Sequence, residues 1–580
     1  MEETALKRTV LTLALLAVLI APQRVVAQGV GADLVLRGAT LWTGLGSGTS
    51  AGSVAIVHER IVAVGSDSEL ASWVGPQTKV VDLDGAMLVP GFIDNHVHFS
   101  SAARLLLGIN LLDVSDEASL VAAVRAADAR MPEGAWLVGG DWSAYQRWPQ
   151  GAEHPLEGDI ELFAPHRDMV DSITAARPML LSRFDRQAHF ANGAALAAAG
   201  ITAATPDPEG GEFGRSPAGE LTGMLWGEAA AMVRAVMPEP SHAQRVAETH
   251  AALLRVRENG VTTVHDMSPA YQLRIYQELL ALGELTTRVH YRPMIADYRR
   301  IADVDIAQGF GNPWIKLGAV KGHIDGIMGN SSALFEDPYA HQPDSRGMLR
   351  DVMFPEGNLQ RLMNEADAAG IQITVHAIGD AANTMLLDMV EEMVETNGPR
   401  DRRFRVVHAQ VLHPRDIPRF KELDLIAEVQ PFHAIDDMRW MAQRIGERSQ
   451  GAYNFRSLLE AGAVLSFGSD WPGTNAAWYP ISPLLGVYAA VTRKTVNGTP
   501  EGGWYPEERV GVEDALRAYT INNAYAGFEE SEKGTIEVGK LADLTVLDRN
   551  LLTIPADEIK DARVLFTIVN GTIVFAAEDD

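Results

Sequence analysis

Short apolar runs recur between residues 87 and 468, at 87–93, 261–265, 288–294, 314–321, 371–376, 404–408, 425–430 and 464–468. They are largely continuous rather than alternating, the pattern of parallel strands buried on both faces. Stretches of helical character lie between several of them, for example at 357–369, 380–397 and 456–461. Eight alternating β and α units predict an α/β protein built on a (β/α)8 TIM-type barrel.

The two ends have another texture. Glycine-split, β-prone runs fill the chain from about Ala32 to Asp84, and similar runs return at 542–548 and 563–575 around an Asn570-Gly571 hairpin turn. This predicts a composite β-sandwich domain made from both termini, residues 28–86 with 535–580, flanking a hydrolase barrel over 87–534. The interval 131–236 breaks the alternation and is rich in Trp, Pro and Gly, with Trp136, Trp142 and Trp148. It reads as an insertion after the first barrel strand, placed over the active-site face to help form the substrate pocket. A surface subdomain is the alternative.

Composition narrows the function. A net charge of −27 with no basic stripe argues against nucleic acid as a partner. With no cysteine, the chain has no disulfide and no lipidated N-terminal cysteine, and a metal site must use nitrogen and oxygen ligands. Lys7 and Arg8 precede an apolar run over 9–21, and Val25-Val26-Ala27 supplies small residues for cleavage. Residues 1–27 therefore read as a signal peptide, implying a secreted or periplasmic protein with no stable membrane anchor after cleavage. A small-molecule substrate is expected, and the oligomeric state, a homo-oligomer included, stays open.

Candidate chemistry gathers at the strand ends. His96 and His98 stand two residues apart at the end of the first run, so a strand presents both on one face. Lys321 ends the fourth run, His376 the fifth and His408 the sixth, and Asp470 follows the eighth. Singly, His376 or His408 reads as a satisfied core histidine; together, at the face where barrel enzymes keep their catalytic groups, the set reads as a metal site. Burial and nearby cations leave a lysine amine neutral, able to add CO2 and form a carbamate whose oxygens can bridge two metals. Lys316, nearer the start of that run, is the rival. A metal lowers the pKa of bound water to about 7, and Asp470 can take that water's proton and pass it on. Zn2+ is the default ion for such ligands.

The segments Val89-Pro-Gly-Phe-Ile-Asp-Asn-His-Val-His, Val320-Lys-Gly-His-Ile-Asp-Gly, Thr374-Val-His-Ala-Ile-Gly-Asp, Val407-His-Ala-Gln and Gly468-Ser-Asp-Trp-Pro occur in the order found in a known family. So do Leu516-Arg-Ala-Tyr-Thr-Ile-Asn-Asn-Ala and Gly534-Thr-Ile-Glu-Val-Gly-Lys-Leu-Ala-Asp-Leu. The chain resembles the amidohydrolase superfamily, and within it the YtcJ-like amidohydrolase family 3 that includes N-substituted formamide deformylases. The resemblance implies two divalent ions, with His96, His98 and Asp470 on one, His376 and His408 on the other, and carboxylated Lys321 between them. It implies Asp470 as the acid/base, His189 approaching the substrate from the insertion, and His433 doing so from the seventh strand.

Some features depart from the family pattern. His323 shares a face with Lys321 if the strand continues, as an extra ligand or pocket group, and Trp471 beside Asp470 is taken as a substrate contact. Ile327 stands where the family carries serine, and the insert around Trp148 is long. His265-Asp266 reads either as pocket lining or as a structural pair. The leading expectation is hydrolysis of a C–N bond in an amide, N-acyl or N-formyl compound. Alternatives are a cyclic amidine or nucleobase-type deaminase, a lactone or organophosphate hydrolase, and a binding protein that has lost its chemistry.

Overall fold

Pro90 and Gly91 divide what the sequence presents as one strand. In the computed structural model, Met87–Pro90 and Phe92–Val97 are separate strands in different sheets. The turnover point is sterically fixed: a Cβ on Gly91 would lie 2.3 Å from the Thr262 side chain, so only glycine lets the chain pass. The structure describes residues 31–131, 134–147, 161–174, 177–184, 187–473 and 480–578. The leader expected over 1–27 and Trp148 lie outside the described residues.

Met87–Pro90 joins an eight-stranded sheet that draws on both ends of the chain. It pairs antiparallel with Leu544–Leu547 on one side and parallel with Leu34–Leu41 on the other. Outward from Leu544–Leu547 come Val564–Val569 and Thr572–Ala576; beyond Leu34–Leu41 come Ser50–Val57 and Arg60–Gly65, with Lys79–Asp82 on a branch. The predicted hairpin forms as read: Asn570 and Gly571 both take positive φ, 56° and 74°, as a tight primed turn requires. The two ends form one mixed sheet where the sequence suggests a sandwich.

The remaining apolar runs form parallel strands. Ile315–Leu317, Arg288–Tyr291, Val261–Asp266 and Phe92–Val97 make a four-stranded sheet; Val320–His323, Ile373–Ala377, Arg405–His408, Ile426–Val429 and Val464–Phe467 make a five-stranded one. The fourth sequence run thus becomes two strands. It breaks at Gly318, where the His290 ring occupies the space a Cβ would need, 1.9 Å away. Single parallel bridges, Met294 to Lys321 and Val97 to Trp471, link the edges of the two sheets. The array is α/β and parallel as expected, but its ladders do not run as one continuous ring.

The insertion supplies five strands of a six-stranded sheet, ordered Gly211–Arg215, Leu221–Gly227, Ala188–Ala191, Met179–Arg183 and Leu137–Trp142, with Ile109–Asn110, ahead of the expected bound at 131, as the sixth. Trp142 is buried in the insert's own core with Phe190 and Met179. A cavity of about 260 Å³ separates insert from strand array, lined by Phe184 and Gln187 on one side and by Ser331, His341, Trp440 and Arg444 on the other. Among the described residues no helix is long and apolar enough to cross a membrane.

Candidate metal centre

The predicted histidines and Asp470 sit at or just beyond the ends of their strands, while Lys321 is the second residue of Val320–His323. His96 lies near the end of Phe92–Val97 and His98 just beyond it, their rings 5.6 Å apart on one face. Asp94, between the same strand and the Gly468–Trp471 loop, accepts backbone N–H groups from His96 (3.1 Å) and Ser469 (3.0 Å). Burial pushes its carboxyl up to about 7. Asp470 takes a left-handed backbone, φ 58°, which an aspartate tolerates better than most residues. Its Oδ1 stands 3.3 Å from Nε2 of both His96 and His98.

The second group of histidines closes on the same point. His408 has φ 73°, and its ring lies 5.2 Å from that of His96 and 4.5 Å from that of His376. Its Nδ1 is 2.7 Å from Gln430 Oε1, which leaves Nε2 for another partner. Two triads keep all their ligand atoms within 4.8 Å: His96, His98 and Asp470, and His408, His433 and Asp470. His433, read from sequence as a substrate group, is thus also within ligand range. His376 stands one step back, its Nε2 2.9 Å from the Gly326 carbonyl and 3.4 Å from Asp325 Oδ1. The His323 ring is 5.3 Å from that of His376, in register beside it on the adjoining strand.

Lys321 lies wholly inside the protein between these groups. Burial brings its amine down to about 7, against the pull of Glu428 and Asp470 in the other direction. Lys316, its rival, is committed elsewhere: its Nζ lies 3.0 Å from Glu529. Burial works against charge on Asp470, yet His96, His98 and His408 hold its carboxyl well below the usual range. Burial also drives His408 and His323 below the ordinary imidazole value. The donor set suits a divalent cation. His96 makes the fit plainest: its Nε2 is buried and makes no hydrogen bond, and it faces Asp470 Oδ1.

Three predicted groups have surroundings the sequence did not foretell. Trp471 is fully buried, edge-on to Phe99 at 6.1 Å, and its carbonyl accepts the His98 N–H at 2.7 Å. Through that carbonyl it holds the ligand loop in place. His189 lies in the inserted sheet with Nδ1 3.0 Å from Ser182 Oγ. His265 and Asp266 are structural: Asp266 accepts from Phe99 N, Ser268 and Tyr276, while His265 stacks on His290 at 4.4 Å. Sequence reading missed Glu428, Arg292 and Arg405, which lie fully buried beside the ligands. A charged residue inside an apolar strand run was the available signal.

A model of the amidohydrolase family, Amidohydro_3, matches residues 79–575, and the chain belongs to that family. It is an amidohydrolase-family enzyme. The chain is 36% identical to LONG AFTER FAR-RED 3 of Arabidopsis thaliana over 94% of its own length and 91% of that protein's. It is 29% identical to the N-substituted formamide deformylase of Arthrobacter pascens, over 93% and 98% of the two chains. YtcJ of Bacillus subtilis, named as an amidohydrolase, is also 29% identical, over 93% and 99%. In fold it is similar to an uncharacterized metal-dependent hydrolase of Pyrococcus horikoshii, with a TM-score of 0.72 and 24% identity over 90% of this chain and 99% of that one.

Proposed function

We propose that this chain hydrolyses the C–N bond of a small N-acyl, N-formyl or amide compound at a pair of divalent ions, zinc by the chemistry of the donors. The observation that carries the reading is the gathering of His96, His98, Lys321, His376, His408 and Asp470 on the parallel strands and their connecting loops, with one Asp470 oxygen 3.3 Å from two imidazoles. His96, His98 and Asp470 would hold one ion, and His376 and His408 the other. We read the two parallel sheets as one barrel joined at its bridges, with the composite sheet at its side.

Divalent ions held there supply Lewis acidity toward the acyl oxygen and make water acidic enough to lose a proton near neutral pH. Lys321, its nitrogen having added to the carbon of dissolved CO2 with loss of one proton, would supply carbamate oxygens as further ligands. Asp470 accepts the proton of the attacking water and delivers it to the departing nitrogen, which leaves as the amine. The 260 Å³ cavity between insert and strand array, with Phe184 and Trp440 in its wall, supports an apolar or aromatic substituent on the substrate. His341 and Arg444 are polar groups in its wall, and His189, His323 and His433 are assigned to the substrate. The leader over 1–27 supports a secreted or periplasmic site of action.

Metal analysis by plasma mass spectrometry tests the centre. We expect about two equivalents per chain, falling sharply in Lys321→Ala. About one equivalent, unchanged by that substitution, removes Lys321 from the site and favours a deaminase, which often needs a single ion. N-substituted formamides and N-acyl amines, followed by amine release, test the substrate class; turnover of lactones or phosphotriesters alone overturns it.

A further inference from the structure

A buried charged layer lies against the ligand cluster. Glu428, in the strand Ile426–Val429, has no exposed surface. Its Oε1 is 2.7 Å from His96 Nδ1 and accepts from Arg292 Nη1 at 2.8 Å; its Oε2 accepts from Arg405 Nη1 at 3.3 Å. The two guanidiniums are themselves anchored. Arg292 Nη2 and Arg405 Nη1 lie 2.8 and 2.9 Å from His265 Nδ1, and Arg405 Nη2 donates to the Ala526 carbonyl.

This arrangement has a consequence for His96. A carboxylate can only accept, so its contact with Nδ1 places a proton there. A neutral imidazole has one N–H, and Nε2, the atom facing Asp470, then keeps its lone pair. The ring is also held against rotation, because Glu428 is gripped at both oxygens. His408 is oriented by the same device with a neutral acceptor, Gln430 Oε1 at 2.7 Å. Carboxylate–histidine–metal arrangements of this kind fix ring direction and raise ligand basicity.

We propose that Glu428, clamped by Arg292 and Arg405, is the positioning residue that sets the tautomer and direction of His96 for metal binding. The inference rests on the metal-centre reading above. Its rival is that Glu428 serves only as counter-ion to two buried arginines, which requires no contact with His96.

The test is zinc affinity of the full, demetallated chain, measured by competition with a chromogenic chelator. Glu428→Gln is expected to bind zinc roughly 10–100-fold more weakly. Glu428→Asp keeps a charge between the guanidiniums but draws the carboxylate back by one methylene; it is expected to bind weakly too, and it carries the test if the glutamine variant does not fold. Glu529→Gln is the structural control, since it breaks the buried ion pairs with Lys316 (3.0 Å) and Lys533 (3.1 Å) without touching His96. It is expected to lower Tm and leave zinc affinity intact. With Co2+ in place of zinc, the visible spectrum should change in both Glu428 variants and not in Glu529→Gln. Glu428 variants that bind zinc as tightly as the unaltered chain, or a Glu529 control that weakens binding equally, overturn the proposal. If the unaltered chain itself binds no zinc, the metal-centre reading fails first and this inference falls with it.

Discussion

Asp470 is the residue on which the proposed chemistry turns. It is the one carboxylate shared by both ligand triads, and its left-handed backbone aims Oδ1 between His96 and His98. Asp470→Asn preserves the shape of the side chain and removes its capacity to take a proton. We expect kcat on a competent N-acyl substrate to fall by about 10²–10⁴-fold, with Tm little changed, in steady-state assays beside thermal melts. A kcat within a few-fold of the unaltered enzyme removes Asp470 from the acid/base role. This site was legible because ligand-type residues recur at the ends of apolar runs, a one-dimensional signal. Glu428, Arg292 and Arg405 were not, because their meaning lies in pairings between strands, Arg292 standing 136 residues and Arg405 23 residues from Glu428 in sequence. The burial of Trp471 was not legible for a local reason: the chain takes a left-handed turn at Asp470 and the next ring packs edge-on against Phe99.

At the scale of elements, the passage from Met87–Pro90 to Phe92–Val97 ties the composite sheet to the parallel strands. Apolar periodicity cannot locate this break, since both strands are buried throughout and read as one run. Gly91 marks it only once Thr262, from a distant strand, is in place. Gly91→Ala would set a Cβ 2.3 Å from the Thr262 side chain, so one backbone or the other must shift. We expect a loss of about 1–3 kcal/mol, the usual cost of overpacking a core, read as a lower denaturant midpoint with an unchanged slope. A midpoint equal to that of the unaltered chain shows that the junction has slack. The broken fourth strand follows the same logic, since the His290 ring that interrupts it at Gly318 comes from the neighbouring strand.

For the whole molecule, the decisive link is between the chain's C-terminal strands and the strand array that carries the ligands. Arg288, in the strand Arg288–Tyr291, donates to Asp543 through Nε at 2.6 Å and Nη2 at 2.9 Å, both side chains being almost fully buried. Asp543 also accepts the Asn570 N–H at the hairpin, so one carboxylate joins three segments. Burial alone would raise its pKa, but Arg288 holds it below the usual carboxylate value. A depressed folded-state pKa gives stability that is present above the unfolded value of about 3.9 and is lost as pH falls toward the folded one. Asp543→Ala leaves a guanidinium buried without its partner, and we expect it to cost about 3–5 kcal/mol near neutral pH. Asp543→Asn should flatten the acid limb of the stability curve below pH 4, because the group that takes up a proton there is gone. Equilibrium unfolding from pH 7 down to 3 separates the outcomes. If the asparagine variant keeps the full acid dependence, other carboxylates govern the coupling. If the alanine variant unfolds its parallel-strand core at unchanged denaturant concentration, the two parts of the fold stand independently.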